Sequence, residues 1–519
     1  MLRRSLSLGA LALAAALLVS DRAGAGGDLR VGTCLREITP VSAQLADEYE
    51  AAFGTPGVVN HRHPIWLAGF GNGRNALGYH DRLWARGIVL DGRGGRIAIV
   101  ALDLVSYFVN EVDTIRAMLS PQAGIDYLIV HATHGHEGPD TIGLWGRNEF
   151  QSGVDLGYLD FVNAAVADCL DEAAATLRKA RVRFATTSSA GLSLGTDAED
   201  DGFGVADGKV LAGDAALAPA TGGRIVDPRL GIMQLTERGS PKAVIATLVN
   251  FASHPESLGD DNQLVSCDFP HYARERLEAE YGGLALWVSA DLGVLQGPLD
   301  IDVLDPATGL PAVRRTFRWA EVHGMQLAER VIAAVDTKKP GHPSPEIAFA
   351  SAKPVAIRLD NPFFRLLGAI GVLSTRRILY TDGVPDLSIG SFPEPATIFP
   401  ALAGEDLHTE VGALRIGGAS FAVVPTELDP QIGETYRAAM TGAQHTFIIG
   451  LGNDHIGYQV PFAKWDDSCH ACAGYSVVGL DAFCPIQPID CNTVFENNVG
   501  RMVDPSVTDA LLPLLDALH

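Results

Sequence analysis

The chain has 519 residues, of which 47% are hydrophobic, and it carries a formal net charge of −23 at pH 7. This length is enough for two or three domains of ordinary size, and the apolar content allows a large buried core. The acidic balance argues against nucleic acid and against an anionic membrane surface as binding partners.

The first 25 residues have the features of a secretory signal peptide. Arg3 and Arg4 form a positively charged start, residues 6–19 are apolar, and Ala23-Gly24-Ala25 fits a signal-peptidase site. The apolar stretch is short for a membrane span, which needs about 20 residues. We therefore expect residues 1–25 to be a signal peptide and the mature chain to be exported, either to the periplasm or as a secreted protein.

Further along the chain, apolar segments with strand patterning alternate with amphipathic helical segments. Strands are predicted at residues 97–104, 127–130, 243–251, 284–289, 413–416 and 420–424. Helices are predicted at residues 158–181, 317–335 and 508–518. Gly417-Gly418 predicts a hairpin turn, and the irregular composition of residues 195–225 and 380–410 predicts long loops. The pattern predicts an α/β fold with mixed β-sheets flanked by helices.

A histidine-rich segment follows the predicted strand at 127–130. Residues 131–140 read His-Ala-Thr-His-Gly-His-Glu-Gly-Pro-Asp. Residues two apart on extended backbone share a face, so His134 and His136 can face one cleft. Neutral imidazole is the commonest metal ligand in proteins. A polar surface loop is the alternative interpretation, but three clustered histidines favour a metal site.

Other predicted strands also end in residues suited to metal binding or acid–base chemistry. These strand ends carry Ser253-His254-Pro255-Glu256, Asp291, Thr426-Glu427-Leu428-Asp429 and Asn453-Asp454-His455-Ile456-Gly457-Tyr458. Ligands at the carboxyl ends of neighbouring strands are how α/β sheets build binding sites. Strands end in polar loops in any case, but that alone does not explain the repeated choice of His, Glu and Asp.

The seven cysteines fall into two groups. Three are scattered, and we expect Cys34, Cys169 and Cys267 to pack singly. Four are clustered at positions 469, 472, 484 and 491. The opening C-x2-C of this cluster permits a zinc site, but export favours two disulfides, with a pairing that the sequence does not determine.

The ordered set of motifs resembles the catalytic domain of the neutral (neutral/alkaline, non-lysosomal) ceramidases. The matching segments are residues 31–32, 38–40, 69–71, 80–86, 102–104, 132–136 with 138–139, 250–254, 425–427 and 457–458. The resemblance implies one ceramidase-like zinc hydrolase domain over residues 26–519, with long loops. The immunoglobulin-like C-terminal domain typical of the family is expected to be absent.

The resemblance further implies one Zn²⁺ held by His134, His254, Glu427 and Tyr458. Three ligands with nitrogen or oxygen donor atoms can hold zinc and leave a coordination position open for water. The phenolic oxygen of Tyr458, a weak fourth ligand, can occupy or release that position. Zinc lowers the pKa of water to about 7 and polarises a carbonyl group, and amide hydrolysis needs both effects. The simpler interpretations are that His254 caps a strand end, that Glu427 pairs with a surface base, and that Tyr458 packs in the core.

Two residues next to the predicted ligands are candidates for proton transfer. His136 lies two residues from a ligand and is the predicted proton carrier. Glu137 can serve as a general base or orient His136, or it can be a solvated loop acid.

The chain departs from the ceramidase pattern at several positions. Gln296 stands near the family's catalytic serine, and residues 191–201 contain no arginine of the kind that holds the substrate in the family. Glu137 and Asp140 replace a serine and a glycine of the family motif. The zinc centre is therefore expected to be retained while part of the substrate machinery has changed.

Together with the export signal, the resemblance implies an exported zinc-dependent amide hydrolase similar to neutral ceramidase, which converts N-acylsphingosine to fatty acid and sphingoid base. The expected partner is a lipid or another small N-acyl substrate, with transient membrane-surface contact as a further expectation and no nucleic acid. The apolar residues 363–373 favour a buried helix, because the stretch is too short to span a membrane. Docking on a bilayer and feeding a lipid chain into the pocket are the alternatives for this stretch. A non-catalytic zinc- or lipid-binding homologue and a hydrolase of another amide or ester are the alternatives. A metallophosphatase, suggested by Asn453-Asp454-His455, has little support because the motif order is wrong.

Overall fold

The structure is a computed structural model. It describes residues 27–195, 226–294, 296–299, 301–373, 379–381, 384–386, 406–465 and 498–518. The strands of these residues are, in chain order, β1 (Arg30–Glu37), β2 (Gly78–Tyr79), β3 (Trp84–Gly92), β4 (Gly95–Leu102), β5 (Tyr127–Ala132), β6 (Arg178–Ser188), β7 (Leu194–Gly195), β8 (Arg229–Glu237), β9 (Ser240–Phe251), β10 (Leu264–Val265), β11 (Leu284–Ser289), β12 (Gln296–Gly297), β13 (Ile347–Arg358), β14 (Leu379–Thr381), β15 (Val384–Asp386), β16 (Asp406–Ile416), β17 (Ala419–Val423), β18 (Glu427–Leu428), β19 (His445–Ile449) and β20 (Tyr458–Gln459). The α-helices are α1 (Ala46–Phe53), α2 (Val109–Met118), α3 (Leu156–Ala175), α4 (Phe269–Tyr281), α5 (Phe317–Ala334), α6 (Pro362–Ala369), α7 (Pro430–Ala439) and α8 (Val503–Ala517).

Two mixed sheets form the centre of the fold. The first has eight strands in the order β11-β9-β8-β6-β1-β3-β4-β5, with parallel pairs at β4–β5 and β9–β11. The second has six strands, with the path β15-β14-β16-β17-β19 and β13 also paired to β16. Its β17–β19 pair is parallel, and the β16–β17 hairpin turns at Gly417-Gly418 as predicted.

The main core lies between the two sheets. Ile99 and Leu248 of the first sheet belong to the same buried cluster as Phe421 and Phe447 of the second. Separate clusters lie between the outer faces and the helices, with α2 to α5 on the first sheet and α6 to α8 on the second. This layered arrangement confirms the predicted α/β class, because each sheet buries one face on the other and one face on helices.

The boundary of the first long helix differs from the predicted one. The prediction ran from 158 to 181, but α3 ends at Ala175, and the chain enters β6 at Arg178. In β6, Ala180 and Val182 are buried, whereas their neighbours are not. This two-residue period is the strand pattern, and antiparallel pairing with β1 and β8 prevails over the helical appearance of the segment.

The prediction that Cys34 and Cys169 pack singly is wrong, because they form a disulfide between β1 and α3. The two residues are 135 positions apart, so the sequence carried no local signal for the pair. Gly32 lets the helix approach the strand, since a Cβ there would lie 1.8 Å from the backbone oxygen of Ala173. Cys267 is a free, buried cysteine. The cluster at 469, 472, 484 and 491 lies outside the described residues.

The edge strands of the first sheet approach each other at their carboxyl ends. Ser289, at the end of β11, donates from its backbone N–H to His131 Nε2 at 3.0 Å and from its hydroxyl to the Thr133 carbonyl at 2.7 Å. His131 lies near the end of β5 and Thr133 directly follows the strand, so the histidine-rich segment lies close to the segment that follows β11. Within the described part of the chain, no helix is both long enough and apolar enough to cross a membrane.

Candidate metal centre

His134 lies in the loop that leaves β5, and its backbone is held in an unusual conformation. Its φ is +66°, a left-handed value that is uncommon outside glycine and marks a functional constraint when neighbouring contacts enforce it. The His134 N–H donates to the Leu104 carbonyl at 2.9 Å, and its Nδ1 lies 2.7 Å from the Val105 carbonyl. Because a carbonyl only accepts, Nδ1 carries the proton and Nε2 is free to bind a metal.

His254 follows β9 and is held in the same way. Its N–H donates to the Gln296 carbonyl at 2.7 Å, and its Nδ1 lies 2.9 Å from the same oxygen. The Gln296 side chain accepts from the Asp227 N–H at 3.0 Å and donates to the carbonyls of Asp227 and Ala252 at 2.8 Å each. Gln296 therefore orients His254, and its amide is occupied by backbone partners.

Glu427 brings the imidazoles together. It lies in β18, in parallel register with Tyr458 of β20. Its Oε2 lies 3.0 Å from His254 Nε2 and 3.4 Å from His134 Nε2, and its Oε1 lies 3.0 Å from His455 Nε2. Burial alone would raise the pKa of Glu427, but the surrounding histidines outweigh burial and hold this pKa well below its ordinary range. The carboxylate is therefore charged.

His136 completes a group of three buried histidines with His134 and His254. One ligand atom from each lies within 4.8 Å of the others, so the group can hold a metal ion. Gly69 permits this packing, because a Cβ there would lie 2.2 Å from Cγ of the His136 ring. Burial is the main cause that lowers the pKa of both His134 and His136, which favours the neutral, metal-binding form.

The structure also brings in two residues that the predicted site lacked, His455 and Glu256. His455 contacts Glu427 through Nε2 and the Ser106 hydroxyl through Nδ1. Glu256 Oε2 lies 3.7 Å from His136 Nδ1. Both stand in strand-end segments that the sequence pattern had indicated, but nothing in the pattern distinguished them from neighbouring polar residues.

The two acids of the histidine-rich segment have other partners. The buried Glu137 carboxylate accepts from Asn262 Nδ2 at 2.7 Å and from Arg74 Nη1 at 3.3 Å. It is not among the described residues that line the cavity beside the cluster. Asp140 accepts four backbone N–H groups of residues 142–153 and so organises the loop that follows.

A cavity of about 480 Å³ opens beside the cluster. Among the described residues, the polar side chains that line it are those of the candidate site: His134, His136, Glu256, Glu427, His455 and Tyr458. The remaining side chains that line it are apolar: Phe70, Phe108, Ile142, Leu144, Trp145, Leu299, Leu359, Phe364, Leu373, Leu407, Ile456 and Val499. An apolar cavity with a few convergent polar groups is the usual form of a small-molecule site.

The donors fit a divalent metal of the zinc type. Imidazole nitrogens and one carboxylate are ordinary zinc ligands, and two of the imidazoles have their Nδ1 atoms fixed by carbonyls. Among the described residues, His136 Nδ1 is a buried nitrogen with no hydrogen-bond partner. A charged carboxylate among buried imidazoles is the arrangement that a bound cation stabilises.

No protein-family model matches the sequence, and the search of curated proteins found no match to it. Solved structures that resemble the fold include two ceramidases. The neutral ceramidase from Pseudomonas aeruginosa has a TM-score of 0.65 and 16% identity, over 95% of this chain and 74% of that chain. A ceramidase complexed with C2 has a TM-score of 0.64 and 16% identity, over 95% of this chain and 75% of that one. The fold of this chain is therefore ceramidase-like.

Proposed function

We propose that this chain is a zinc-dependent hydrolase that cleaves the amide bond of an N-acyl lipid. The observation that carries the proposal is the buried cluster of histidines around Glu427 in the wall of a largely apolar cavity. The ligands that we assign to one Zn²⁺ are His134, His254, Glu427 and Tyr458. The cavity supplies room for an acyl chain next to these groups.

When bound, zinc would polarise the amide carbonyl and lower the pKa of water to about 7. His134 and His254 would hold the metal through Nε2, because their Nδ1 atoms are committed to backbone carbonyls. Glu427 supplies the negative charge that balances the cation. We assign proton transfer to His136, which lines the cavity, rather than to Glu137, whose carboxylate faces Arg74 and Asn262.

Water is the proposed nucleophile, because the described residues that line the cavity include no serine, threonine or cysteine. The Gln296 amide, near the position of the family serine, is occupied by backbone hydrogen bonds. Ceramide is the leading substrate because of the ceramidase-like fold and the apolar lining. Phe364 and Gly368 of α6 and the following Leu373 form part of that lining, so this apolar segment contributes to acyl-chain binding.

The activity test uses purified protein with fluorescent ceramide and a panel of other N-acyl and ester substrates. Each substrate is assayed before chelation, after chelation and after return of Zn²⁺. We expect turnover of at least one amide that the chelator abolishes and Zn²⁺ restores. Absence of chelator-sensitive turnover across the panel would contradict the proposal and support the alternative, a non-catalytic zinc- or lipid-binding protein.

The ligand assignment is tested separately by metal analysis. His134→Ala and His254→Ala should each weaken Zn²⁺ binding by more than about 100-fold, since even indirect supports of a ligand are worth 10- to 100-fold. His342→Ala, at an exposed position, is the matched control and should bind Zn²⁺ like the parent. Full zinc occupancy in both ligand variants would remove this ligand set.

We also propose that residues 1–25 are removed on export, leaving one hydrolase domain over residues 26–519. Expression of the full chain in a bacterial host with separate analysis of periplasm and medium tests this. Amino-terminal sequencing should place the first residue near Gly26, and retention of the intact chain in the cytoplasm would argue against export.

A further inference from the structure

Beside His136 lies a carboxylate to which the proposed chemistry assigns no role. Glu256 follows His254 by two residues and lines the cavity. Its Oε2 is 3.7 Å from His136 Nδ1, and each of the two side chains is 8% exposed. The pair is therefore shielded from solvent, where one charge acts strongly on its neighbour.

The local structure holds both side chains in place. The His136 N–H donates to the carbonyl of Pro255 at 3.0 Å, which ties the two backbone segments together. Gly69 packs on the His136 ring, and Gly297 makes room for the carboxylate, because a Cβ at Gly297 would lie 2.1 Å from Glu256 Oε1. These contacts leave little freedom for the imidazole and the carboxylate to separate.

The three histidines of the cluster differ in what faces Nδ1. The Nδ1 atoms of His134 and His254 each face a backbone carbonyl, which carries no charge. For His136, Nδ1 makes no hydrogen bond with the described residues, and the Glu256 carboxylate is the acceptor within reach. A distance of 3.7 Å exceeds a hydrogen bond by about 0.7 Å, and functional hydrogen bonds are often long in the absence of substrate.

We propose that Glu256 is a positioning residue that keeps the proton of His136 on Nδ1 and leaves Nε2 bare. The proton on one imidazole nitrogen is set by the partner of that nitrogen. A bare Nε2 can accept a proton on the cavity side, whereas a protonated Nε2 cannot. This inference rests on the proposed function, because His136 is taken there to be the proton carrier.

The direct test is the tautomer of His136 in the full-length, zinc-loaded protein. With ¹⁵N-histidine labelling, the His136 ring signals are identified by their loss in His136→Gln. We expect the Nδ1–H tautomer in the parent and in Glu256→Gln, whose amide oxygen still accepts. Glu256→Leu should shift the population towards Nε2–H. An Nε2–H tautomer in the parent, or an unchanged Nδ1–H tautomer in Glu256→Leu, would overturn the inference.

Gly297→Ala provides a second variant that leaves Glu256 chemically intact. The φ of Gly297 does not lie in the left-handed region, so alanine is compatible with the backbone there. The atom that the added Cβ would meet is Glu256 Oε1, at the end of a flexible side chain. The carboxylate must therefore move while the fold is kept, and we expect the same shift towards Nε2–H. Retention of the parent tautomer in a folded Gly297→Ala protein would count against the inference.

Turnover and metal content distinguish this inference from the proposed function. In Glu256→Leu we expect zinc content to be retained, kcat to fall by about 10- to 100-fold, and KM to change by less than about twofold. Glu256→Gln should recover part of kcat. Glu346→Gln makes the same chemical change at an exposed ion pair with Arg93 and should match the parent. Absence of turnover in the parent would defeat the proposed function, whereas the tautomer measurement needs no turnover.

Discussion

At the scale of single residues, Gln296 shows how a buried side chain can support a proposed zinc ligand, His254, without contacting it through its own amide. The backbone carbonyl of Gln296 holds both the N–H and the Nδ1 of His254. The amide is bound to Asp227 and Ala252, and the residue is completely buried. The position of that carbonyl, and therefore the orientation of His254, depends on the hydrogen bonds of the Gln296 amide to Asp227 and Ala252.

Replacement of Gln296 by serine therefore should not create a working nucleophile. The shorter side chain leaves the buried N–H and carbonyl of Asp227 without their partner, whereas the Ala252 carbonyl keeps the Ser193 hydroxyl at 3.3 Å. The free energy of unfolding should fall by about 1–3 kcal/mol. The loosened carbonyl should weaken zinc binding by about 10- to 100-fold. Denaturant unfolding and chelator competition measure the two effects. Gln431→Ser, at an exposed position in α7, is the control, and unchanged zinc affinity in Gln296→Ser would contradict this account.

At the scale of structural elements, the loop over residues 140–153 is a folded wall of the cavity. Asp140 accepts the backbone N–H groups of Ile142, Gly143, Trp145 and Gly153 at 2.7 to 3.1 Å. Gly143 has a φ of +103°, and a Cβ there would lie 2.1 Å from the carbonyl oxygen of Val372. The loop therefore packs on the segment that follows α6, and both contribute side chains to the cavity.

The substitution Asp140→Asn should loosen this wall without unfolding the protein. One carboxylate oxygen is replaced by an NH₂ donor, so two of the four backbone N–H groups lose their acceptor. At about 1–3 kcal/mol for such groups, amides of residues 142–153 should exchange with solvent about 10- to 100-fold faster. Hydrogen exchange followed by mass spectrometry measures this, with α3 as the internal reference. Equal protection in parent and variant would show that Asp140 does not organise the loop.

The disulfide between β1 and α3 is the second prediction at this scale. A cross-link between residues 135 positions apart removes much chain entropy from the unfolded state. Replacing both Cys34 and Cys169 by alanine should lower the free energy of unfolding by about 2–5 kcal/mol. Denaturant unfolding of parent and double variant measures the change. Cys267→Ala is the matched control for loss of a buried sulfur. A peptide map without reductant should contain the linked pair, and free thiols at both positions would refute it.

At the scale of the whole molecule, stability should depend on pH through buried neutral histidines. His323 lies on α5 between Phe269 and Trp319, with Nε2 2.7 Å from the Leu192 carbonyl. Burial lowers the pKa of His323 from 6.5 to about 4. A lowered histidine pKa means that the unfolded chain takes up the proton first. The stabilisation is therefore complete above pH 6.5 and is lost as the pH falls from 6.5 towards 4.

A shift of this size corresponds to about 3 kcal/mol from His323 over that pH range. In the His323→Leu variant, the fall in the free energy of unfolding between pH 7 and pH 4 should be smaller by about this amount. Denaturant unfolding of both proteins with chelator present measures it, because metal release then makes no contribution. Parallel pH curves for parent and variant would exclude His323 as the source.

The described structure agrees with the sequence interpretation where the signal is local. The strands at 243–251 and 284–289 and the helix at 317–335 are confirmed within a few residues by β9, β11 and α5. Each of these segments has a continuous apolar run or an amphipathic helical pattern, because one or both of its faces are buried. The false extension of α3 into β6 and the separate treatment of Cys34 and Cys169 have one cause. Both depend on contacts between segments far apart in the chain, the pairing of β6 with β1 and β8 and the packing of α3 on β1, which local periodicity does not specify.

By itself, the sequence determined the α/β class and indicated the strand ends at which His134, His254 and Glu427 stand, because strand patterning and residue chemistry are local properties. Only the tertiary structure decided which of those ends meet. The first sheet brings the end of β5 to the end of β11, and the β18–β20 pair places Glu427 beside Tyr458. The same packing turned Glu137 towards Arg74 and brought Glu256 to His136. Side-chain direction and long-range contact depend on the whole packed chain, so no segment determines them alone.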